Sequence, residues 1–193
     1  DADGNVWADG AEMPSGDLAL YAKYDRVSVH LAVVDGTTGV IEKAHRTDTE
    51  QWYVYGFTGR RINKSEFDKM FVGVGDATVT VDNSELSSFK SFGTGSKVHV
   101  IDNVTGEEVE TFYVIVFGDL DGNALINVND ATKLNKELKQ ATWSSRRGGV
   151  PYLIKAADLK TDRLINVNDA TLLNQVANSL KKINQQTGTV PND

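Results

Sequence analysis

The chain has 193 residues, enough for one large domain or two small ones. Apolar residues make up 40% and charged residues 24%, ordinary globular usage that excludes a wholly disordered chain. There is no cysteine, which excludes disulfides, iron–sulfur clusters, thiolate zinc sites and cysteine nucleophiles. The net charge of -7 divides unevenly. Residues 1–117 carry 10 Lys+Arg against 19 Asp+Glu, a balance of −9, and residues 118–193 carry 10 against 8, a balance of +2. An acidic first half argues against nucleic acid as a partner. No run of about 18 apolar residues is present, so no membrane-spanning helix is expected. Asp1 to Asn5 lack the basic and apolar segments of a signal peptide and read as the interior of a longer protein.

Before residue 117 the apolar spacing is mostly two, the strand period. Val27, Val29, Leu31 and Val33 alternate with smaller or polar residues, and Gly36 to Gly39 make a turn. Trp52 to Tyr55 is aromatic and β-favouring and stops at Gly56. Ser65-Glu66-Phe67-Asp68 is the one helix-start signal, with Phe67, Met70 and Phe71 inward. Ala77 to Val81 alternates again. Lys97 to Ile101 and Glu108 to Phe117 form a hairpin closed by Asp102 to Gly106. These short strands predict a small β-sandwich over residues 26–117.

After residue 117 the period becomes helical. Val128, Ala131, Leu134 and Leu138 share one face, as do Val167, Ala170, Leu173, Val176 and Leu180. A breaker-rich loop from Trp143 to Pro151 lies between them, and a short helix is expected over Tyr152 to Ala156. The polar tail Gln185 to Asp193 is expected to fray. The fold class expected is therefore multi-module, all-β followed by a small all-α unit.

This second half is a duplication. Leu125 to Thr132 recurs as Leu164 to Thr171, and Leu134-Asn135 as Leu173-Asn174, at a constant offset of 39. Ten matches at one offset define an internal repeat. Each copy opens with oxygen-bearing residues at calcium-loop spacing. In the first, Asp119, Asp121, Asn123, Leu125 (through its carbonyl), Asn127 and Asp130 occupy loop positions 1, 3, 5, 7, 9 and 12. Calcium takes six to eight hard oxygen ligands, and a tight loop lets alternate residues converge on one point. The EF-hand pattern has Gly at position 6 and Glu at 12, whereas Ala124 and Asp130 stand here. In the second copy Asp158, Asp162, Leu164, Asn166 and Asp169 fit positions 1, 5, 7, 9 and 12, with Lys160 at position 3 and Arg163 at 6. One good calcium site and one weak or empty one are expected. The competing reading is a pair of Asx-rich helix caps with no metal.

At these residues the sequence resembles a dockerin, a pair of calcium loop–helix segments without the entering helix of an EF-hand. Gly118 to Asn123 and Ile126 to Asp130 follow the family pattern, including Asp at position 12, and the second copy follows it except at Lys160. The resemblance covers residues 118 to about 183. It implies a non-catalytic docking function: calcium-dependent binding to a cohesin module of a scaffoldin or cell-surface anchor, within an extracellular polysaccharide-degrading or surface complex. It implies partner contacts at Val128, Asn129, Asn135, Lys136 and Gln140 in the first copy, and at Val167, Asn168, Asn174, Gln175 and Ser179 in the second. The near-identity of the two faces suggests two binding orientations related by half a turn.

The first half has a looser resemblance. Trp52 to Phe57, Phe67 to Val74, Gly93 to Val98 and Gly106 to Phe117 running into Gly118-Asp119 are similar in order to the X-type modules that precede dockerins and buttress them. Met13 to Tyr24 looks like the closing strand of an internalin-type B-repeat. The divisions expected are thus 1–25, the end of a preceding repeat; 26–117, the X-type module; and 118–193, the dockerin, with repeats at about 118–140 and 157–180. The direct join from Phe117 to Gly118 implies rigid packing.

The residues also bear on two other functions. Trp52, Tyr53, Tyr55 and Phe57 offer aromatic rings for a glycan platform, although neighbouring strand residues point to opposite faces and core packing is the simpler reading. No enzyme is expected: His30, His45 and His99 stand apart in the sequence, and no phosphate loop, nucleophile elbow or metal–histidine spacing occurs.

Overall fold

A computed structural model describes residues 26–46, 49–58, 62–88, 90–140 and 150–191. The readings made for residues 1–25 and for most of the loop from Trp143 lie outside them. Seven strands come first: β1 His30–Val33, β2 Val40–Arg46, β3 Thr49–Tyr55, then, after helix α1 Lys64–Asp68, β4 Phe71–Val74, β5 Ala77–Val81, β6 Lys97–Asp102 and β7 Glu108–Val114. Three helices follow: α2 Val128–Gln140, α3 Pro151–Ala157 and α4 Val167–Ala177.

The strands form a five-stranded sheet, in the order β2-β3-β7-β6-β5, and a separate pair, β1-β4. All pairings are antiparallel except β3 with β7, which run parallel with Val54 opposite Val114. The parallel pair is prolonged past the strand end, where Ile115 N donates to the Val54 carbonyl at 2.9 Å.

The central strands are buried on both faces. Val54, Val98, Val100, Phe112 and Val114 pack with Leu31, Phe67 and Phe71 on one side. On the other, Tyr53, Tyr55, Ile115 and Phe117 join Leu120, Leu134, Leu153, Leu159 and Leu173 in a second apolar cluster. Side chains of a strand alternate between faces, so Val54 and its neighbours Tyr53 and Tyr55 belong to different cores. Burial on both faces also explains the unbroken apolar run Val114 to Phe117.

This corrects the expected fold class. The protein is mixed α/β, with two sheets and four helices among the described residues, not an all-β sandwich followed by a separate all-α unit. The helices do not close a core of their own. They bury their apolar faces on the Tyr53–Tyr55 face of the sheet and on Phe117. Period analysis detects most of the elements but not which surface covers them, and a face shared between strands and helices looks the same in sequence as two independent cores.

Local details move as well. The α1 cap is Asn63, whose side chain accepts from Glu66 N at 3.0 Å, two residues before the serine expected in that role. Strands β2 and β4 carry no clear alternation and were not anticipated. The second repeat's helix stops at Ala177, so Leu180 falls beyond it and is 73% exposed. The tail does not fray from Gln185. The Gln185 side chain pairs with both backbone groups of Phe117 at 2.9 Å, and Val190 is buried in the helix-side core. That amide mimics a strand pairing and ties the tail to the start of the first loop.

Candidate metal centre

The first loop begins where β7 has crossed the sheet, at Gly118, whose N–H donates to the Ala156 carbonyl of α3. Asp119 is fully buried. Its Oδ1 accepts from Gly122 N at 2.8 Å and Asn123 N at 3.2 Å, and its Oδ2 from Ala124 N at 3.0 Å and Thr94 N at 2.9 Å. Asp130, also buried, lies in the first turn of α2. Its Oδ1 accepts from Leu120 N and Asp121 N, and its Oδ2 from Asn127 N. Asn123 and Asn127 each accept from the backbone N–H two residues on. These Asx turns wind the loop around its own carboxylates.

The result is a convergence of acids. One carboxylate oxygen from each of Asp119, Asp121 and Asp130 lies within 4.8 Å of the others. No other group of three acidic or histidine side chains is gathered this way among the described residues. None of the three is ion-paired with a described lysine or arginine. Burial raises Asp119 to about 7, and the nearby Asp130 and Asp121 charges push the same way against the backbone donors. Burial likewise raises Asp130 to about 6. Negative charge is thus concentrated in a desolvated place without a counter-ion, the condition that a hard divalent cation relieves. The donors present fit calcium: side-chain oxygens of Asp119, Asp121, Asn123, Asn127 and Asp130, with the Leu125 carbonyl. Calcium bound there would neutralise the cluster.

The departures from the EF-hand pattern are accommodated. Ala124 at loop position 6 adopts φ 63, and Arg163 at the matching place adopts φ 65. A left-handed non-glycine costs on the order of 1 kcal/mol, which the surrounding backbone bonds offset.

The second loop repeats most of the scaffold, without a counterpart of the Gly122 N bond to Asp119 or of the Asn123 N bond to Asp121. Leu159 N and Lys160 N donate to Asp169 Oδ1, Asp162 N and Arg163 N to Asp158, Leu164 N to Asp162, Asn166 N to Asp169 Oδ2, and Asn168 N to Asn166. Each has its counterpart 39 residues earlier, in Leu120, Asp121, Asn123, Ala124, Leu125, Asn127 and Asn129. What differs is charge and cover. Lys160 replaces Asp121, Asp162 is exposed, and Asp158, Asp162 and Asp169 do not form a comparable cluster. The metal-free helix-cap reading describes the second loop well. It leaves the three convergent acids of the first unexplained.

The first loop is buried because the β region covers it. Besides Thr94 N on Asp119, Ser91 Oγ donates to the Asn123 carbonyl at 3.0 Å. A side chain on Gly93 would meet the Gly122 carbonyl at 2.2 Å, so only glycine permits this approach. Gly93 and Thr94 fall within the Gly93 to Val98 stretch of the X-type resemblance, but neither they nor Ser91 are marked by the sequence as loop contacts. They lie about 25 residues upstream in a turn with no ligand spacing, and nothing in the sequence connects them to the loop.

The residues implied as partner contacts separate into two groups. Val128 and Val167, at the helix starts, are 65% and 70% exposed, and Asn129 and Asn168 beside them are exposed too. Lys136 and Gln140 on α2 and Ser179 beyond α4 are also exposed, and Gln175 is half-buried. Asn135 and Asn174 turn their amides back onto the Ala131 and Ala170 carbonyls at 2.8 Å in both copies. They serve the helices first.

The aromatic platform is not open. Tyr53, Tyr55 and Phe57 are buried, and half-buried Trp52 is covered by the Lys43 ammonium 4.2 Å from its ring centroid. His30 bonds the Ser28 carbonyl, and His99 lies between Glu108 and Asp82. No helix among the described residues is long and apolar enough to cross a membrane. Comparison with family models, with curated proteins and with solved structures finds no match to this chain.

Proposed function

We propose that the chain is a calcium-stabilised docking unit, of the dockerin kind, that binds a cohesin and anchors its parent protein in an extracellular assembly. One observation carries this reading: two loop–helix units with closely matching internal bonding each present an exposed Val-Asn pair at the helix start. An exposed valine at 65% or 70% gains nothing for the fold, and its recurrence at the same place in both repeats fits a surface used twice. Calcium held by Asp119, Asp121, Asn123, Leu125, Asn127 and Asp130 stiffens the first loop and so the start of α2 where that pair sits. The remaining sheet region acts as support, because it covers the loop through Ser91 to Thr94 and shares the helices' core.

The test is calorimetric titration of the whole chain against a panel of recombinant cohesins of the scaffoldin and surface-anchor types, with calcium and with EDTA. Micromolar or tighter binding to at least one member, abolished by EDTA, is expected. Failure with every member, or binding indifferent to EDTA, refutes the reading.

A further inference from the structure

The fully buried acid of the first loop takes one hydrogen bond from outside that loop. Three donors to Asp119, at Gly122, Asn123 and Ala124, belong to the loop, and a fourth is Thr94 N at 2.9 Å. Asp158 holds the same place in the second repeat. It is half-buried, and its donors among the described residues, Asp162 N and Arg163 N, both lie in its own loop.

Thr94 is itself fixed from two sides. The β6–β7 ladder runs on beyond the strands, with Gly95 N donating to the Val114 carbonyl at 3.0 Å and Val114 N to the Ser96 carbonyl at 2.9 Å. At the next step the Thr94 hydroxyl stands in for a backbone partner. It accepts from Val116 N at 3.1 Å and donates to the Val116 carbonyl at 3.0 Å. That carbonyl also accepts from Asp119 N at 3.0 Å. On the other side, the buried Ser84 hydroxyl donates to the Thr94 carbonyl at 2.6 Å. Thr94 is fully buried, so bulk water does not compete for these bonds.

We propose that Thr94 is a positioning residue for the first calcium site: its hydroxyl fixes its amide on Asp119, so that the β region sets the affinity of this loop for the cation. Outer groups that orient a metal ligand change affinity by about 10- to 100-fold. The coupling is reciprocal, so calcium in the loop tightens the Thr94 turn and the adjoining end of the β6–β7 ladder. Asp158 has no such outside donor among the described residues, so the second loop does not answer to the sheet in this way. The inference rests on the calcium reading of the first loop and is independent of which partner docks.

The test is a calcium titration of the isotopically labelled whole chain, with the amide signals of each loop followed separately, for the parent, Thr94→Val, Thr94→Ser and Leu31→Ala. Thr94→Val keeps the shape and the amide and loses the hydroxyl. It should bind calcium at the first loop at least about tenfold more weakly than the parent, and Thr94→Ser should return to within about threefold. Leu31→Ala destabilises the β region at the β1–β4 pair and should leave first-loop affinity within about threefold. Unmoved second-loop signals report that each variant is folded. A measurement on the parent needs no variant: the Thr94 and Val116 amides should exchange at least about tenfold more slowly in calcium than in EDTA, a larger gain than at Leu31. First-loop affinity unchanged in Thr94→Val, an equal loss in Leu31→Ala, no recovery in Thr94→Ser, or exchange at Thr94 and Val116 that calcium leaves unchanged overturns the proposal. Absence of calcium binding in the parent overturns the calcium reading with it, whereas normal binding in both the parent and Thr94→Val removes this proposal alone.

Discussion

Lys155 of α3 places its ammonium 2.9 and 2.8 Å from the two carboxylate oxygens of Glu42 on β2, 113 positions earlier in the chain. The same ammonium lies 5.5, 5.1 and 5.8 Å from the ring centroids of Tyr53, Tyr55 and Phe117, and the Tyr55 hydroxyl donates to Glu42. Burial alone would raise the Glu42 carboxyl, but the Lys155 and Tyr55 hydrogen bonds outweigh it and the net direction is downward. This clasp joins the helices to the sheet. Lys155→Ala should lower the melting temperature of the whole chain, by about 1–2 kcal/mol in stability, through lost cation–π contact and a carboxylate left without its partner. Lys155→Met should recover part of the loss, because its stem still covers the rings. Thermal melts of the two variants check this, and equal melting of Lys155→Ala and the parent contradicts it.

The approach of Gly93 to the first loop gives a sharper test. Gly93→Ala forces a carbon against the Gly122 carbonyl, and either the covering turn or the loop must move. A destabilisation of about 1–3 kcal/mol is expected. Calcium affinity of the first loop should fall with it, while the amide signals of the second loop stay in place. Calcium titration monitored by NMR separates the two loops.

The pH response of the metal-stripped protein follows from the two buried acids. Asp119 is raised to about 7 and Asp130 to about 6, against an ordinary value of 3.8. The folded state therefore holds more protons than the unfolded state between those limits, and the stability of the metal-free chain should fall as pH rises from about 4 to 7. Calcium binds the ionised form, so its stabilisation should grow across the same window. Asp119→Asn should flatten the metal-free profile and abolish the calcium effect. Melting curves at a series of pH values, with and without calcium, report both, and a metal-free stability that rises toward pH 7 contradicts the assignment.

Val128 and Val167 contribute little to the core at 65% and 70% exposure. Val128→Asp and Val167→Asp should each melt within about 0.5 kcal/mol of the parent. If both faces serve the partner, each single variant retains cohesin binding and the double variant loses it. Complete loss in one single variant identifies a fixed face.

Deleting residues 184–193 should cost at least about 2 kcal/mol, because it uncovers the core around Val190 and leaves the Phe117 backbone without Gln185. A deletion variant that melts with the parent would show the tail to be dispensable. The polar composition of this segment suggested fraying, since composition records neither a single buried valine nor one well-aimed amide.

The sequence by itself determined what is local and periodic. The strands over 97–101 and 108–114 and their closing turn, the three helices after residue 127, the duplication at offset 39 and the oxygen donors of the first loop are set by neighbours a few residues apart. Turn chemistry, side-chain alternation and loop spacing act over that range, and they leave a readable pattern. Tertiary structure alone decided what covers what. That Tyr53 and Tyr55 face the helices, that β3 and β7 run parallel, that the Ser91–Thr94 turn closes over Asp119, that Val128 and Val167 stay exposed and that the tail returns to Phe117 all depend on surfaces brought together from distant parts of the chain. Burial is a property of two surfaces at once, and a single stretch of sequence describes only one of them.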